Sequence, residues 1–376
     1  MIKYSSFRPG KPWLDTNGNR IQAHGGSVFY DKKKDIYYFY GENKEFTKPG
    51  SGIWTWGVRA YASKDLYNWE DKGLIIKPCE YDEKSSLNPY KAMLDRPHII
   101  YNMGTDKYVC WCKVMQFDGS QTELVLTADD FVGPYTIVTD HLSPLGMSAG
   151  DFDLAVAPDG KAYYYFERVH SETICANLTD NYTDVTGYYS THFPHPHPPY
   201  VREATAHFMR DGKHYLITSG TTGYLPNPSE VSVADSWHGP FKILGDPCPN
   251  DSSRTTYHTQ ISSVFKVPDK RGLYIAIGDR WCPDLMDLPY SFYEELFDAR
   301  FSGKIPKDKL EEYSEKLALK HGLGKEVLKK INDFERDTSV SEYVWLPLRF
   351  EASSDKNPDG MVYLDWHDEW RLEDYN

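Results

Sequence analysis

A short pattern occurs five times along this chain: a polar residue, a few small or apolar residues, a tight turn, then an apolar run rich in Tyr and Phe. The copies open at His24 (HGGSVFYDKKKDIYYFYGE), Asp95 (DRPHIIYNMGTDKYVCWC), Asp151 (DFDLAVAPDGKAYYYFE), Glu203 (EATAHFMRDGKHYLITSG) and Gln260 (QISSVFKVPDKRGLYIAIGD). Successive openings lie 71, 56, 52 and 57 residues apart, about the length of one four-stranded propeller blade. A second pattern follows at a nearly constant offset, an acidic or polar turn and then Trp, Tyr or Phe. It reads ASKDLYNWEDKG from Ala62, TADDFVGPYTIV from Thr127, ANLTDNYTDVTG from Ala176 and VADSWHGPFKIL from Val233. Two sub-repeats in phase predict the inner and outer strands of the same blades, hence an all-β, five-bladed β-propeller. Asp159-Gly160 and Asp211-Gly212 read as two-residue hairpin turns. Radial blades aim equivalent positions at one axis, so the five openings would bring a ring of polar groups to a single pocket.

At 376 residues a chain usually divides into two or three domains. A ring of blades escapes that expectation, because each packs only on its neighbours, and residues 1–376 are read as one propeller domain. The stretch after Gln260 is about twice a blade, and residues 283–338 within it differ from the rest. Pro289 precedes SFYEELFDARF, and KIPKDKLEEYSEKLALKHG and GKEVLKKINDFERD follow. Leu310, Tyr313, Leu317 and Leu319 to Leu323 fit a helical period better than alternation; Pro306 suits a helix start and Gly322 and Gly324 a stop. The expectation is a helical insertion within the fifth blade, serving as a lid, a dimer contact or a solvated ornament.

The net charge of −13, from 42 Lys and Arg against 55 Asp and Glu, argues against nucleic acid or an anionic membrane as partner. It suits a neutral ligand such as a sugar, and the 29 Tyr and 10 Trp supply rings that fill blade seams or stack on sugar faces. No apolar run is long enough to span a membrane. The start, MIKYSSFRPGKPW, lacks the layout of a secretory signal. The expectation is a cytoplasmic bacterial protein, or a secreted one if a leader ahead of Met1 has been removed. The six cysteines show no metal-ligand spacing, and Cys110 and Cys112, two apart in a strand, read as reduced core thiols.

Glycoside hydrolysis needs two carboxyl-type groups across the bond, one protonating the leaving oxygen and one activating water or attacking. Glu203, in VREATAHF after the Pro-rich FPHPHPPY, a candidate pocket wall, is the best acid; otherwise it would form a salt bridge with Arg202 or Arg96. Asp151, at the same blade position one repeat earlier, would keep that acid protonated and oriented, with Asp153 as its rival. Asp95 either reaches substrate or pairs with Arg96. Gln260 is an amide and a very poor base, so on chemistry alone it binds substrate. No cofactor is implied, although a propeller axis can hold a structural Ca2+ or water and His258 could serve either.

Eight segments in order resemble glycoside hydrolase family 43, and particularly its exo-beta-1,3-galactanase-like branch: DTNGNRIQAHGG (Asp15 to Gly26), YGENK (Tyr40 to Lys44), DRPHIIYN (Asp95 to Asn102), GDFD (Gly150 to Asp153), REA (Arg202 to Ala204), TTGYLPN (Thr221 to Asn227), HTQ (His258 to Gln260) and YVWLPLRF (Tyr343 to Phe350). The likeness covers the chain except residues 283–338. It implies an inverting exo-glycosidase releasing a terminal galactose-type residue from beta-linked, beta-1,3-galactan-type oligosaccharides. By the same resemblance Glu203 is the acid, Asp151 its modulator, and Gln260 the base through an imidic-acid tautomer. Glu42, Asp95 and Thr222 are sugar-hydroxyl contacts, with His24 and Tyr224 added to the substrate-binding set. Most of the wider family has a base Asp in the first blade, where this chain reads AHGG; the branch usually has Glu where this chain has Asp95. The alternatives are another family-43-type exo-activity (galactofuranosidase or arabinofuranosidase) and a non-catalytic glycan-binding propeller. A phosphorolytic propeller fits less well, for want of a basic cluster to hold phosphate.

Overall fold

A computed structural model describes residues 3–354 and 358–376. Five four-stranded sheets each run as an antiparallel meander. Blade one is β1 (His24–Asp31), β2 (Ile36–Glu42), β3 (Val58–Ser63) and β4 (Glu70–Ile76). Blade two is β5 (Met93–Asn102), β6 (Lys107–Met115), β7 (Gln121–Ala128) and β8 (Thr136–Leu142). Blade three is β9 (Ala149–Val156), β10 (Ala162–Arg168), β11 (Glu172–Leu178) and β12 (Val185–His192). Blade four is β13 (Arg202–Arg210), β14 (Lys213–Gly220), β15 (Glu230–Ala234) and β16 (Lys242–Gly245). Blade five is β17 (Gln260–Lys266), β18 (Tyr274–Arg280), β19 (Glu342–Glu351) and β20 (Met361–Leu364). The first strands β1, β5, β9, β13 and β17 touch in sequence, and β17 closes on β1. The expected five-bladed propeller is the fold of this chain.

The aromatic runs follow from burial on both faces of a blade. Successive strand residues point to opposite faces. Tyr38 and Tyr40 of β2 therefore enter the seam with blade two, and Phe39 between them the seam with blade five. In β10, Tyr163 and Tyr165 serve the seam with blade four, while Tyr164 and Phe166 serve the seam with blade two. The hydrophobic core is thus distributed among the seams. Cys110 and Cys112 share one of them, their sulfurs 3.8 Å apart, and the six described cysteines are free thiols.

Asp211-Gly212 forms the two-residue hairpin turn expected: both are left-handed (φ 51° and 79°) and Arg210 pairs with Lys213. Asp159-Gly160 does not. There the Ala157 N–H bonds the Lys161 carbonyl across a three-residue loop in which only Gly160 is left-handed, the turn-plus-bulge solution for an added residue.

The insertion joins β18 to β19 and carries helices α1 (Tyr290–Phe301), α2 (Leu310–Lys320) and α3 (Val327–Lys330). Pro289 precedes α1, Pro306 the turn leading into α2, and Gly322 is left-handed just beyond α2. Phe292, Tyr293, Leu296, Leu317, Ala318 and Val327 pack together on Leu225 of the loop after β14. Leu319, expected on the apolar face, is 67% exposed, because α2 turns only Leu317 and Ala318 fully inward.

Candidate active site

Each repeat opens where its inner strand enters one end of the axis, and there the ladders slip. Register breaks fall between His24 and Ser27, Asp95 and His98, Glu203 and Ala206, and Ile261 and Ser263. The residue after the opening is left-handed in three blades: Gly25 (φ 61°), Arg96 (φ 50°) and Ala204 (φ 48°). A regular strand would send Asp95 and Arg96 to opposite faces; the bulge lets both line the same cavity. Such a conformation at a non-glycine residue costs on the order of 1–3 kcal/mol and recurs at functional sites.

The cavity measures about 260 Å³ and takes Glu42, Asp95, Asp151, Glu203, Tyr224 and Gln260 into its wall. Two expected contacts are not in it. His24 is fully buried, its Nδ1 2.8 Å from Asp279 Oδ1, its Nε2 3.3 Å from the Tyr343 hydroxyl and its ring stacked on Tyr343. The Thr222 hydroxyl donates to the Leu225 carbonyl (2.5 Å) and accepts from Asn227 Nδ2 (2.7 Å), bracing its loop; Thr221 lines the cavity instead. Asp153, one step down the strand from Asp151, pairs with His98 (2.9 Å) and accepts from the His207 N–H (2.7 Å), outside the cavity wall. His258 and the Pro-rich segment 193–200 are also outside that wall.

Cations and carboxylates alternate around the pocket. Asp151 is held by Arg96 (3.0 Å) and Lys113 (2.7 Å). Burial works to raise its carboxyl, but the two cations together hold it down at about 2. Asp95 accepts from Trp54 Nε1 (2.6 Å) and pairs with Lys113 (3.4 Å) and Lys44 (3.7 Å), not with Arg96. Buried Lys44 also holds Glu42 (2.7 Å) and donates to the Tyr224 hydroxyl (3.0 Å). Burial pushes Glu42 up to about 7 against the pull of Lys44, and the Asp95 charge adds to the rise. Glu203 differs: among the described residues it makes no ion pair, neither with Arg202, which bonds Thr218 and Pro228, nor with Arg96. Burial, then the charges of Asp151 and Glu167, lift its carboxyl well above the ordinary range, with Lys113 and Arg96 opposing.

Gln260 is committed at both ends of its amide. Its oxygen accepts from Arg96 Nη2 and from Trp281 Nε1 (3.1 Å), and its nitrogen donates to Glu203 Oε1 (3.2 Å) and Ser219 Oγ (3.1 Å). An inverting pair stands about 6.5–9.5 Å apart to admit water. Here Gln260 and Glu203 touch. Glu42 offers a different position: a Cβ added to Gly25 would come 2.3 Å from Glu42 Oε1, so this carboxylate fills the space beside the first-blade opening, where AHGG carries no Asp.

Lys113, Trp54, Trp281 and Lys44 escaped the sequence reading. One signal could have found part of the set: the residue facing the opening across the first hairpin, present in every blade but the third. Those partners are Glu42, Lys113, Ser219 and Asp279, all polar and at the same end of the axis. From the insertion come Phe297, Arg300, Phe301 and Asp333.

A ring of inner-strand carboxylates around one axial pocket agrees with the comparison to known families, in which residues 22–279 match the model of glycosyl hydrolases family 43. The chain belongs to glycosyl hydrolase family 43. It is therefore a glycoside hydrolase, and the galactanase-like resemblance extends to solved structures. A family 43 beta-1,3-galactosidase is 26% identical at a TM-score of 0.72; the match covers 99% of this chain and 65% of that one. A second, solved with galactodeoxynojirimycin, is 25% identical at a TM-score of 0.72, covering 97% of this chain and 100% of that one. The exo-beta-1,3-galactanase of Phanerochaete chrysosporium, solved with beta-1,3-galactotriose, shares the fold at 22% identity and a TM-score of 0.72, with 98% and 68% covered. No curated protein matches the sequence.

Proposed function

We propose that this family 43 hydrolase is an inverting exo-glycosidase that removes terminal galactose-type residues from beta-1,3-linked galacto-oligosaccharides. The observation that carries the reading is Glu203, a buried carboxyl without a cationic partner among the described residues, set beside an Asp151 that two cations keep ionised. Such a pair separates the roles by environment: the charged member keeps the other protonated, ready to donate to the leaving glycosidic oxygen. The pocket suits one sugar ring rather than a chain crossing it, which favours exo attack. Asp95, Glu42 and Tyr224 supply hydroxyl contacts, and the shorter Asp95 adjusts the fit for the terminal sugar.

Water activation is assigned to Gln260, as the resemblance implies. A second reading gives it to Glu42. The contact of Gln260 with Glu203 and the two donors on its oxygen favour that second reading, as does a carboxyl near neutrality in the first blade.

The test is a panel of beta-1,3-galacto-oligosaccharides and aryl beta-galactopyranosides, beta-galactofuranosides and arabinofuranosides, with products followed by NMR. The expected result is stepwise release of galactose, appearing first as the α-anomer. First appearance of the β-anomer would overturn inversion, preference for a furanoside would favour the other exo-activities, and binding without turnover would leave a glycan-binding propeller.

A further inference from the structure

A pocket that takes one terminal sugar leaves the rest of its chain outside, and an unassigned surface begins at the pocket wall. A second cavity of about 80 Å³ adjoins the first and shares Trp54 and Asp333 with it. Phe117, from the turn between β6 and β7, and Phe334, from the insertion, stand on its rim. Their rings lie 6.3 Å apart at 24°, and Phe334 lies 5.5 Å from Trp54. Phe117 is 63% and Phe334 56% exposed. Thr47 and Pro89 also line this cavity and adjoin Phe46 and Tyr90 in the chain; Trp56 lies 5.3 Å from Phe46 and 6.2 Å from Tyr90, both more than two-fifths exposed. Apolar rings held in water by separate elements mark an interaction surface.

The chemistry of the strip selects its occupant. Behind the aromatic rim lies Arg336, buried, with Nη1 on Cys282 Sγ (2.7 Å) and Nε 3.4 Å from Asp333 Oδ1, so that Asp333, shared with the pocket, is held in place. Apolar faces with a few placed donors suit a ligand whose rings alternate C–H faces with hydroxyl edges. A galactosyl unit is such a ligand, since its axial hydroxyl leaves one face of the ring to C–H groups. The small cavity shares Trp54 and Asp333 with the pocket, so its occupant is the same molecule that fills the pocket.

We propose that Trp54, Phe334 and Phe117, continued by Trp56, Tyr90 and Phe46, form a binding track for the leaving-group side of a neutral beta-linked galactan chain. This rests on the galactan reading above and adds where the second and later sugars lie. Chain length would then enter through KM, with the chemical groups of the pocket unchanged.

The experiment compares wild type, Phe117→Ala/Phe334→Ala and Phe117→Tyr/Phe334→Tyr on an aryl beta-galactoside and on beta-1,3-galactotetraose. The Ala pair should lose about tenfold or more in kcat/KM on the tetraose, mainly through KM, and stay within about twofold on the aryl substrate; the Tyr pair should recover most of the loss. An unchanged tetraose rate, an equal loss on both substrates, or a Tyr pair as impaired as the Ala pair would overturn the track and leave the galactan reading standing. A wild type that cleaves no galactoside would overturn the galactan reading, and the assigned occupant with it.

Discussion

Burial, then the Asp151 charge, raises the Glu203 carboxyl well above the usual range, which favours its protonated form at the expense of the folded chain. Its raised folded value means that the native state holds a proton that the unfolded chain, with a Glu near 4.3, releases. Stability from this group is present below about pH 4 and is lost as pH rises toward the folded value. Glu203→Gln should therefore melt above wild type at pH 8, with the gap closing as pH falls toward 4. A variant that melts below wild type at pH 8 would contradict the burial argument. The same substitution should cost about 10²-fold or more on galacto-oligosaccharides, and much less on aryl glycosides whose leaving group needs no proton. Gln260 and Glu42 are separated in the same way. If Gln260 handles the water, Gln260→Ala abolishes turnover while sugar binding stays within about tenfold, some 1.4 kcal/mol, and Gln260→Glu retains activity with a new acidic limb in its pH profile. If Gln260→Ala turns over like wild type, Glu42→Gln should be the inactive one.

The elements around these residues were legible to different degrees. Inner strands start at or within two residues of His24, Asp95, Asp151, Glu203 and Gln260, because polar openings followed by aromatic runs report blades buried on both faces. The helical insertion was visible through its change of period and its prolines. What stayed hidden was the geometry that aims the site: nothing in Asp95-Arg96 or Glu203-Ala204 announces a left-handed backbone, since neither bulge uses glycine. His24 and Thr222 were misplaced for a related reason, as polar side chains near a pocket can equally brace the backbone that frames it. The insertion can now be assigned a side of the pocket, through Phe297, Arg300, Phe301 and Asp333. Replacing residues 283–338 by a short Gly-Ser bridge should leave the five blades folded, by circular dichroism, and raise KM for galacto-oligosaccharides by about tenfold. Unchanged kinetics in a folded deletion would show that those four side chains do not touch substrate.

On the scale of the whole ring, buried histidines sit in more than one seam, and in the closing one a carboxylate accompanies the histidine. The ends are joined by Phe7, whose backbone exchanges hydrogen bonds with Trp370 (2.9 and 3.1 Å) and whose ring stacks on Trp370 at 4.2 Å; nearer the axis in the same seam burial lowers His24, and its partner Asp279 opposes that fall. The seam between blades three and four is built on histidines. His207 stacks on Tyr165 and lies 3.2 Å from His214, while His192 and His238 each approach the Ser190 hydroxyl at 2.9 Å. Burial, then the His214 neighbour, pushes His207 down to about 3, and burial followed by His238 pushes His192 down to about 4. A histidine lowered on folding takes up its proton only in the unfolded chain between its folded value and about 6.5, so stability falls as pH drops through that window. For His207 alone the loss at pH 5 is about 2 kcal/mol. Acid should therefore open this seam before the others, with amides of β10 and β14 losing hydrogen-exchange protection first. His207→Phe keeps a ring against Tyr165 without a titrating nitrogen. Its urea midpoint should gain on wild type as pH falls from 7 to 5, and parallel decline of the two proteins would place the acid-sensitive seam elsewhere.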